Sequence, residues 1–259
     1  MPVKKTEAFV LKSFNWSESS RTISFFTRDS GRLALNDRGG RSIKGKRGRA
    51  LNLTHLEITY YDSDKPTAGH LSETQVLSKW TFSQDGALGR LAFSSAVCEL
   101  LYQLLPEHEP HRDIFAYTLK YFAAMDSAQR DALPSVFLSY LFRLCSMLGY
   151  RPVLTGCVKC GRSVKSLEAD SVSFATEQGG LVCGSCQAPG ERYIALATED
   201  LIRAVTLQAG SLDEAAEEPI GFTQSTRIIE VALAFLKAQT GVHKLNSLEF
   251  IEKLKQTNL

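Results

Sequence analysis

The chain has 259 residues, of which 44% are hydrophobic and 22% are charged, and its formal net charge is +2. This composition is ordinary for a soluble globular protein. No apolar run approaches the roughly 18–20 residues that a membrane helix needs, and the N-terminal residues lack the apolar core of a secretory signal. We therefore expect a cytoplasmic protein with no membrane association.

The positive charge is concentrated at the N-terminal end. Residues 1–61 hold twelve Lys or Arg against five Asp or Glu, a net charge of +7. The remainder of the chain must then be net negative. Such a distribution predicts that the N-terminal quarter binds a polyanion.

The first eighty residues show the pattern of short strands separated by turn residues. The five predicted strands are residues 8–11, 22–27, 32–35, 53–60 and 69–77. Five antiparallel strands in this length predict a small closed barrel, most simply an OB-fold. An SH3-like barrel would give nearly the same pattern, so strand count alone leaves both open.

A glycine-rich basic segment separates the third and fourth predicted strands. Residues 37–49 contain four glycines and six cations, namely Arg38, Arg41, Lys44, Lys46, Arg47 and Arg49. Glycines let backbone amides approach a phosphate chain, and the cations neutralise it. The alternative is a solvated linker. Aromatic residues that could stack bases are Phe14, Trp16, Phe25, Phe26, Tyr60 and Tyr61, although about half of them must fill the barrel.

Beyond residue 85 the apolar period becomes helical. Helices are predicted over residues 85–105, 111–125, 134–149, 226–239 and 247–254, with a further one capped by Thr198. Residues 213–219 are predicted to form an acidic loop. Short strands are expected at residues 174–176 and 180–182.

Four cysteines interrupt the helical region in metal-binding spacing. Cys157-x-x-Cys160 and Cys183-x-x-Cys186 are separated by 22 residues. Two such pairs predict a four-thiolate zinc site, and four protein ligands make it structural rather than catalytic. Glycines at 156, 161 and 184 are expected to supply positive-φ positions. Two disulfides or four unrelated thiols are the alternatives.

These elements predict an α+β multidomain chain. The expected domains are a five-stranded OB-fold barrel at 1–80, a helical domain at 81–153 and 191–259, and a zinc ribbon inserted at 154–190. Cys98 and Cys145 lie in helical patterns and are expected to be buried and reduced. The sequence shows no open metal position, complete phosphate loop or nucleophile motif, so we expect no enzymatic activity and no small-molecule substrate.

Several motifs occur in a characteristic order along the chain. They lie at residues 7–11, 27–33, 148–152 with 157–161, 179–186, and 245–250. Together they resemble the RecO family of bacterial DNA repair and recombination mediators. Residues 36–41 are shifted and more basic than the corresponding family stretch, so the DNA-contacting cations are transferred as a region.

The resemblance implies a DNA repair and recombination mediator in the cytoplasm, associated with the nucleoid. Such a protein binds single- and double-stranded DNA and anneals complementary strands. It would engage the acidic C-terminal tail of single-stranded-DNA-binding protein (SSB), act with RecR and help to load RecA. The basic residues considered for tail binding are Arg112, Arg130, Arg143 and Arg151. The competing hypothesis is a zinc-ribbon and OB-fold adaptor of transcription or translation that recognises RNA or protein.

Overall fold

The computed structural model of the chain describes residues 3–15, 17–18, 20–38, 53–62, 68–164, 171–242 and 245–249. The fold divides into two compact units. The first comprises residues 1–122 with 245–259, and the second comprises residues 123–244. The domain boundaries expected from the sequence stay a prediction.

A closed five-stranded barrel forms the start of the first unit. Its strands are β1 (Val3–Asn15), β2 (Arg21–Thr27), β3 (Gly31–Asp37), β4 (Thr54–Tyr61) and β5 (Gly69–Lys79). They follow the order β1-β2-β3-β5-β4, with β1 also paired to β4. Four pairings are antiparallel, and the closing pair of β3 with β5 is parallel. This arrangement confirms the OB-like barrel.

The barrel interior is filled by alternating apolar residues. The buried cluster comprises Ala8, Val10, Ile23, Phe25, Leu33, Leu35, Leu56, Ile58, Tyr60 and Leu71. Alternation places Phe9 and Phe26 on the outer face, where both are buried. Their rings contact Phe115, at centroid distances of 4.8 and 5.4 Å, so a helix covers this side of the barrel.

Two helices continue the first unit, α1 (Ala87–Leu104) and α2 (Arg112–Ser127), the last residues of which belong to the second unit. The helix α1 ends at Leu104, two residues before Pro106, because proline cannot continue a helix. Near the C-terminal end, Ser247 donates from its hydroxyl to Glu99 Oε1 at 2.9 Å. Residues 246–249 are helical, and the rest of the helix predicted at 247–254 lies outside the described residues.

The second unit combines helices with a small sheet. Its helices are α3 (Leu133–Met147), α4 (Thr198–Ala209), α5 (Leu212–Ala216) and α6 (Phe222–Thr240). Its strands are β6 (Val153–Cys157), β7 (Ser171–Ala175), β8 (Gly180–Val182) and β9 (Ile194–Ala197). The sheet order is β6-β8-β7-β9. Only β7 and β8 correspond to strands expected from the sequence.

Two local expectations in this unit are wrong. Part of the acidic loop expected at 213–219 is the short helix α5, which a capping box between Ser211 and Glu214 begins. Thr198 is the first residue of α4 rather than its cap, because Ala197 holds the cap position and provides no side-chain hydrogen bond.

The sheet and the helices of the second unit share an apolar interior. A small cavity there is lined by residues from the sheet and from α3, α4 and α6, among them Phe142, Leu154, Phe174, Leu196 and Phe235. The rings of Phe174 and Phe235 lie 6.1 Å apart, edge to face. The sheet is therefore packed into the helical core of this unit. Of the helices in the described ranges, none combines the length and the apolar character needed to cross a membrane.

Candidate metal centre and nucleic-acid interface

The first cysteine pair lies on a tight turn that begins at the end of β6. The backbone N–H of Cys157 donates to Arg162 O at 2.9 Å, and the N–H of Gly161 donates to Cys157 O at 2.9 Å. Gly161 adopts a φ of 73°, a conformation that glycine reaches without strain. Gly156 and Gly184 do not share this conformation, so only one of the three expected glycine positions is correct.

The second pair follows β8, and strand pairing brings it to the first. Val158 N–H donates to Leu181 O at 2.8 Å, beside the pairing of Cys157 with Leu181. Cys186 N–H then donates to Cys183 O at 2.9 Å, closing a single 3₁₀ turn. The neighbouring positions of β6 and β8 therefore place the two turns side by side.

The four sulfurs fit a metal ion. All four Sγ atoms lie within 4.8 Å of one another, and Cys160 and Cys183 Sγ are 3.7 Å apart. A tetrahedral ion with Zn–S bonds of about 2.3 Å requires S–S separations of about 3.8 Å. A disulfide requires about 2.05 Å, so the alternative of disulfides does not fit. The four cysteines could hold one metal ion, and their clustering excludes four unrelated thiols.

The electrostatics of the cluster favour a thiolate at Cys157. Burial raises the pKa of Cys157, but backbone N–H groups of Cys183, Cys160 and Lys159 donate to its sulfur and bring the pKa down to about 6. Conversely, hydrogen bonds with Cys183 and Cys160 raise the pKa of Cys186 to about 12, because they retain a proton among the sulfurs. A cation bound by all four sulfurs takes the place of that shared proton.

A pair of charged side chains joins the first turn to the segment after the second. Lys159 Nζ lies 2.8 Å from Glu191 Oε2. The hydrogen bond from Lys159, together with that from the Tyr193 hydroxyl, lowers the pKa of Glu191 to about 2. Lys159 and Glu191 form an ion pair with each other, so this contact stabilises the two turns. The candidate metal ligands are the four cysteine sulfurs.

The basic segment leaves the barrel directly from β3. Arg38 occupies the exposed turn position after Asp37, the last residue of β3. Arg41, Lys44, Lys46, Arg47 and Arg49 lie outside the described residues. The described chain resumes at Leu53 and enters β4 at Thr54.

The structure separates the aromatic residues considered for base stacking. Phe25, Phe26 and Tyr60 are fully buried, whereas Phe14 and Tyr61 are 43% and 40% exposed. Trp16 lies outside the described residues. Burial therefore removes three candidates and leaves two exposed rings in the described barrel.

The sequence interpretation missed two cations, Lys12 and Arg32, that lie against the rings of Phe14 and Tyr102. Lys12 Nζ lies 4.7 Å from the centroid of Phe14 and 5.1 Å from that of Tyr102, and Arg32 lies 5.0 Å from Tyr102. The spacing Lys12-x-Phe14 was a signal available in the sequence, because alternate residues of a strand share a face. Tyr102 lies on α1, and no sequence spacing predicted that its ring would contact residues of the barrel.

The four arginines considered for partner binding are exposed and belong to both units. Arg112 lies in the first unit, and its guanidinium lies 2.9 Å from Asp29 Oδ1. Arg130, Arg143 and Arg151 lie in the second unit. Their role in binding a partner stays a prediction.

Comparison with known proteins covers nearly the whole chain. Residues 1–80 match the family model described as Recombination protein O N terminal, and residues 86–249 match Recombination protein O C terminal. The chain is 28% identical over 252 residues to DNA repair protein RecO of Anaeromyxobacter dehalogenans (strain 2CP-C), which covers 96% of each chain.

Two further relatives carry the same name. DNA repair protein RecO of Symbiobacterium thermophilum is 25% identical over 256 residues, covering 98% of this chain and 99% of that protein. The homologue of Rhodopirellula baltica is 29% identical over 213 residues, covering 82% and 74%. The similarity thus extends through the barrel, the helices and the cysteine-bearing sheet.

Proposed function

Because this chain belongs to the RecO family, we propose that it acts in DNA repair as a mediator that binds DNA and anneals complementary strands. The observation that carries this proposal is an OB-like barrel from which a segment with six cations leaves directly at Asp37. The match to recombination and DNA repair proteins disfavours the alternative of an adaptor in transcription or translation.

The proposed mechanism is electrostatic and forms or breaks no covalent bond. Cations at Arg38, Arg41, Lys44, Lys46, Arg47 and Arg49 neutralise phosphates and release condensed counterions. Two strands held on this surface repel each other less, while their base edges stay free to pair. The protein therefore requires no catalytic residue for annealing.

The four cysteines are proposed to bind one structural zinc ion. Zinc with four thiolate ligands has no open position, so its contribution is to fix the two turns and the edge of the sheet. Cys157, Cys160, Cys183 and Cys186 would each contribute one sulfur.

Partner recognition follows from the same family membership. We propose that the protein engages the acidic tail of SSB, with Arg112, Arg130, Arg143 and Arg151 as the candidate cations, and that it works with RecR to help load RecA. This work would take place in the cytoplasm at the nucleoid. Annealing on SSB-coated DNA, compared with SSB that lacks its tail, tests this step; equal rates would contradict it.

The salt dependence of DNA binding tests the central proposal. Charge reversal at Lys44, Lys46 and Arg47 should weaken binding and reduce the slope of log affinity against log salt by about two to three units. The control variant K120E/R192E/K237E makes the same change in net charge at exposed positions elsewhere. Equal losses of DNA affinity in the two triple variants would contradict a role for the segment. An unchanged slope of log affinity against log salt would show that the segment does not contact DNA phosphates.

A further inference from the structure

The first unit carries a cluster of two cations and two aromatic rings. Lys12 and Phe14 come from β1, Arg32 from β3 and Tyr102 from α1. The rings of Phe14 and Tyr102 lie 6.4 Å apart, and Lys12 Nζ contacts both. Among the described residues, Lys12 contacts these two rings and makes no ion pair. Its charge is therefore available to an anion.

A bulge in β1 turns this part of the strand outward. Ala8 and Val10 point into the barrel, and simple alternation would send residues 12 and 14 inward with them. The pairing with β2 shifts between Val10 and Lys12, so Phe14 pairs with Thr22 on the outer face. Bulges of this kind often re-aim side chains beside functional sites. Phe14 is consequently 43% exposed, although it is a large apolar residue.

An unsatisfied hydroxyl lies under the same face. Ser24 pairs with Lys12 across the two strands, and directly opposed residues share a face of the sheet. Ser24 is 3% exposed, and its Oγ has no hydrogen-bond partner. The Oγ is buried beneath the surface, so it takes no part in contacts that the exposed side chains of this face make.

Strand register relates the cluster to Arg38, the first cation of the basic segment. Phe14 pairs with Thr22, and Thr22 pairs with Asn36, so the three residues form one row across β1, β2 and β3. Two strand spacings separate Phe14 from Asn36, and Arg38 lies two residues farther along the chain, so Phe14 and Arg38 are separated by about 12 Å. One extended strand of nucleic acid could reach both.

We propose that Phe14, Lys12 and Tyr102 form a stacking platform for an unpaired base of single-stranded DNA. This inference rests on the proposed DNA-binding function and assigns it a second contact surface. An exposed aromatic ring stacks a base of any sequence, and the adjacent lysine neutralises the neighbouring phosphate. The bases of a duplex are stacked on one another, so the platform favours single strands, whereas the basic segment contacts either form.

A nucleic acid fits this surface better than a protein does. The cluster presents Lys12 without an acidic partner among the described residues, and Arg38, the first of six cations in the following stretch of sequence, lies about 12 Å from Phe14. Arg32, the second cation of the cluster, is paired with Glu107 at 3.0 Å, so Lys12 carries the available charge. Successive cations on this surface therefore match the successive phosphates of a nucleic acid. An apolar contact with a protein would not need these cations.

Equilibrium binding of the full chain to oligothymidylate and to a duplex of equal length tests the platform. F14L should weaken single-strand binding by about 5- to 100-fold and duplex binding by less than about twofold, because stacking on one base is lost. F14W should retain wild-type affinity. K12Q should reduce the salt slope on single strands by about 0.7.

Tyr150 supplies the control. It is 38% exposed and lies in the second unit. Y150L should leave both affinities unchanged. A 5-iodo-deoxyuridine oligonucleotide should crosslink to Phe14 or Tyr102 in the unmodified protein, which provides a readout that does not depend on any variant.

The outcomes separate this inference from the proposed function. If F14L and Y150L both bind single strands as the wild type does while K44E/K46E/R47E does not, the platform is refuted and the DNA-binding segment stands. If F14L impairs annealing only when a partner protein is present, the platform binds protein and the inference fails. If the wild type binds no DNA, both proposals fail.

Discussion

Arg227 on α6 forms a two-point ion pair with Asp200 on α4. Its Nε lies 2.6 Å from Oδ2 and its second terminal nitrogen 3.1 Å from Oδ1. The carboxylate of Asp200 is fully buried, and hydrogen bonding to it raises the pKa of Arg227. Asp200 also lies in the first turn of α4, where the helix dipole favours a negative charge. This pair therefore ties two helices of the second unit together.

We predict that Arg227→Met lowers the melting temperature by about 5 °C or more, because it leaves a buried carboxylate without its partner. Arg203→Met is the control, since Arg203 pairs with Glu218, whose side chain is 44% exposed. Exposed pairs contribute little, so its shift should stay near 1 °C. Thermal unfolding followed by circular dichroism measures both. Similar shifts in the two variants would show that burial of Asp200 is unimportant.

Gly31, the first residue of β3, cannot be replaced without strain. It has a φ of 68°, and a Cβ atom would lie 2.3 Å from the carbonyl oxygen of Glu109. Gly31→Ala should lower the free energy of unfolding by at least about 1–2 kcal/mol from backbone strain alone, with the clash adding to it. Gly241→Ala has a similar φ of 72° and no atom within 4 Å. Urea unfolding should show the larger loss at Gly31; equal losses would mean that the chain around Glu109 yields.

His55 makes the stability of the barrel depend on pH. Its Nε2 lies 2.9 Å from Glu7 Oε2, and its ring packs on Phe9 and Phe115. Burial lowers the pKa of His55 below its ordinary value of 6.5, against the opposing effect of Glu7. The unfolded chain therefore binds more protons than the folded one below pH 6.5. Stability should be fully present above that pH and should fall as the pH drops from 6.5 through the lowered pKa.

Unfolding free energies of wild type and His55→Asn between pH 8 and 5 check this dependence. The wild type should show the steeper decline, with a difference in slope that corresponds to at most about one proton. A His55 imidazole that titrates above 6.5 in NMR spectra would reverse the expected sign.

The six cysteines should fall into two classes of reactivity. Burial raises the pKa of Cys98 and of Cys145 to about 12, so neither should react with iodoacetamide while the protein is folded. The four clustered thiols should be protected by zinc and become reactive after chelation. Mass spectrometry should then count four modified cysteines after chelation and six after unfolding.

Cys160→Ser supplies the comparison, because Cys160 is the exposed member of the cluster. It should bind zinc more weakly and increase hydrogen exchange between residues 154 and 190 while the barrel keeps its stability. Purified wild-type protein should hold close to one zinc per chain. Metal well below that level in protein never exposed to a chelator would refute the zinc assignment.

The barrel strands and the cysteine cluster were predictable because both depend on short-range patterns. Alternation of apolar residues defines β4, and the Cys-x-x-Cys spacing defines each turn. The strands β7 and β8 pair with each other as neighbours in the chain, which is a local signal, whereas β6 and β9 were missed because they pair with strands that are not adjacent to them in sequence. The helix α5 did have a signal, the capping box of Ser211 and Glu214, which its acidic composition and Pro219 obscured.

The exposure of Phe14 could not be predicted from local pattern. The residue follows the same alternation as Val10, and the bulge that reverses its direction depends on pairing with β2. The contact of its ring with Tyr102 depends on how α1 packs on the barrel. Whether an aromatic residue is buried in a barrel depends on the tertiary structure. The sequence therefore offered six aromatic candidates for base stacking, of which two are exposed among the described residues.

The barrel has one short seam. Strands β3 and β5 meet through the pairs Leu35 with Gly69 and Asn36 with His70, whereas β1 and β4 share seven pairs among the described residues. Brief local opening should start where the fewest ladder bonds must break. Amide protons at this seam should exchange with solvent before those at the centre of β1. We therefore expect the barrel to open first between β3 and β5, at the row that contains Asn36, while the hydrogen bonds between its other strands stay intact.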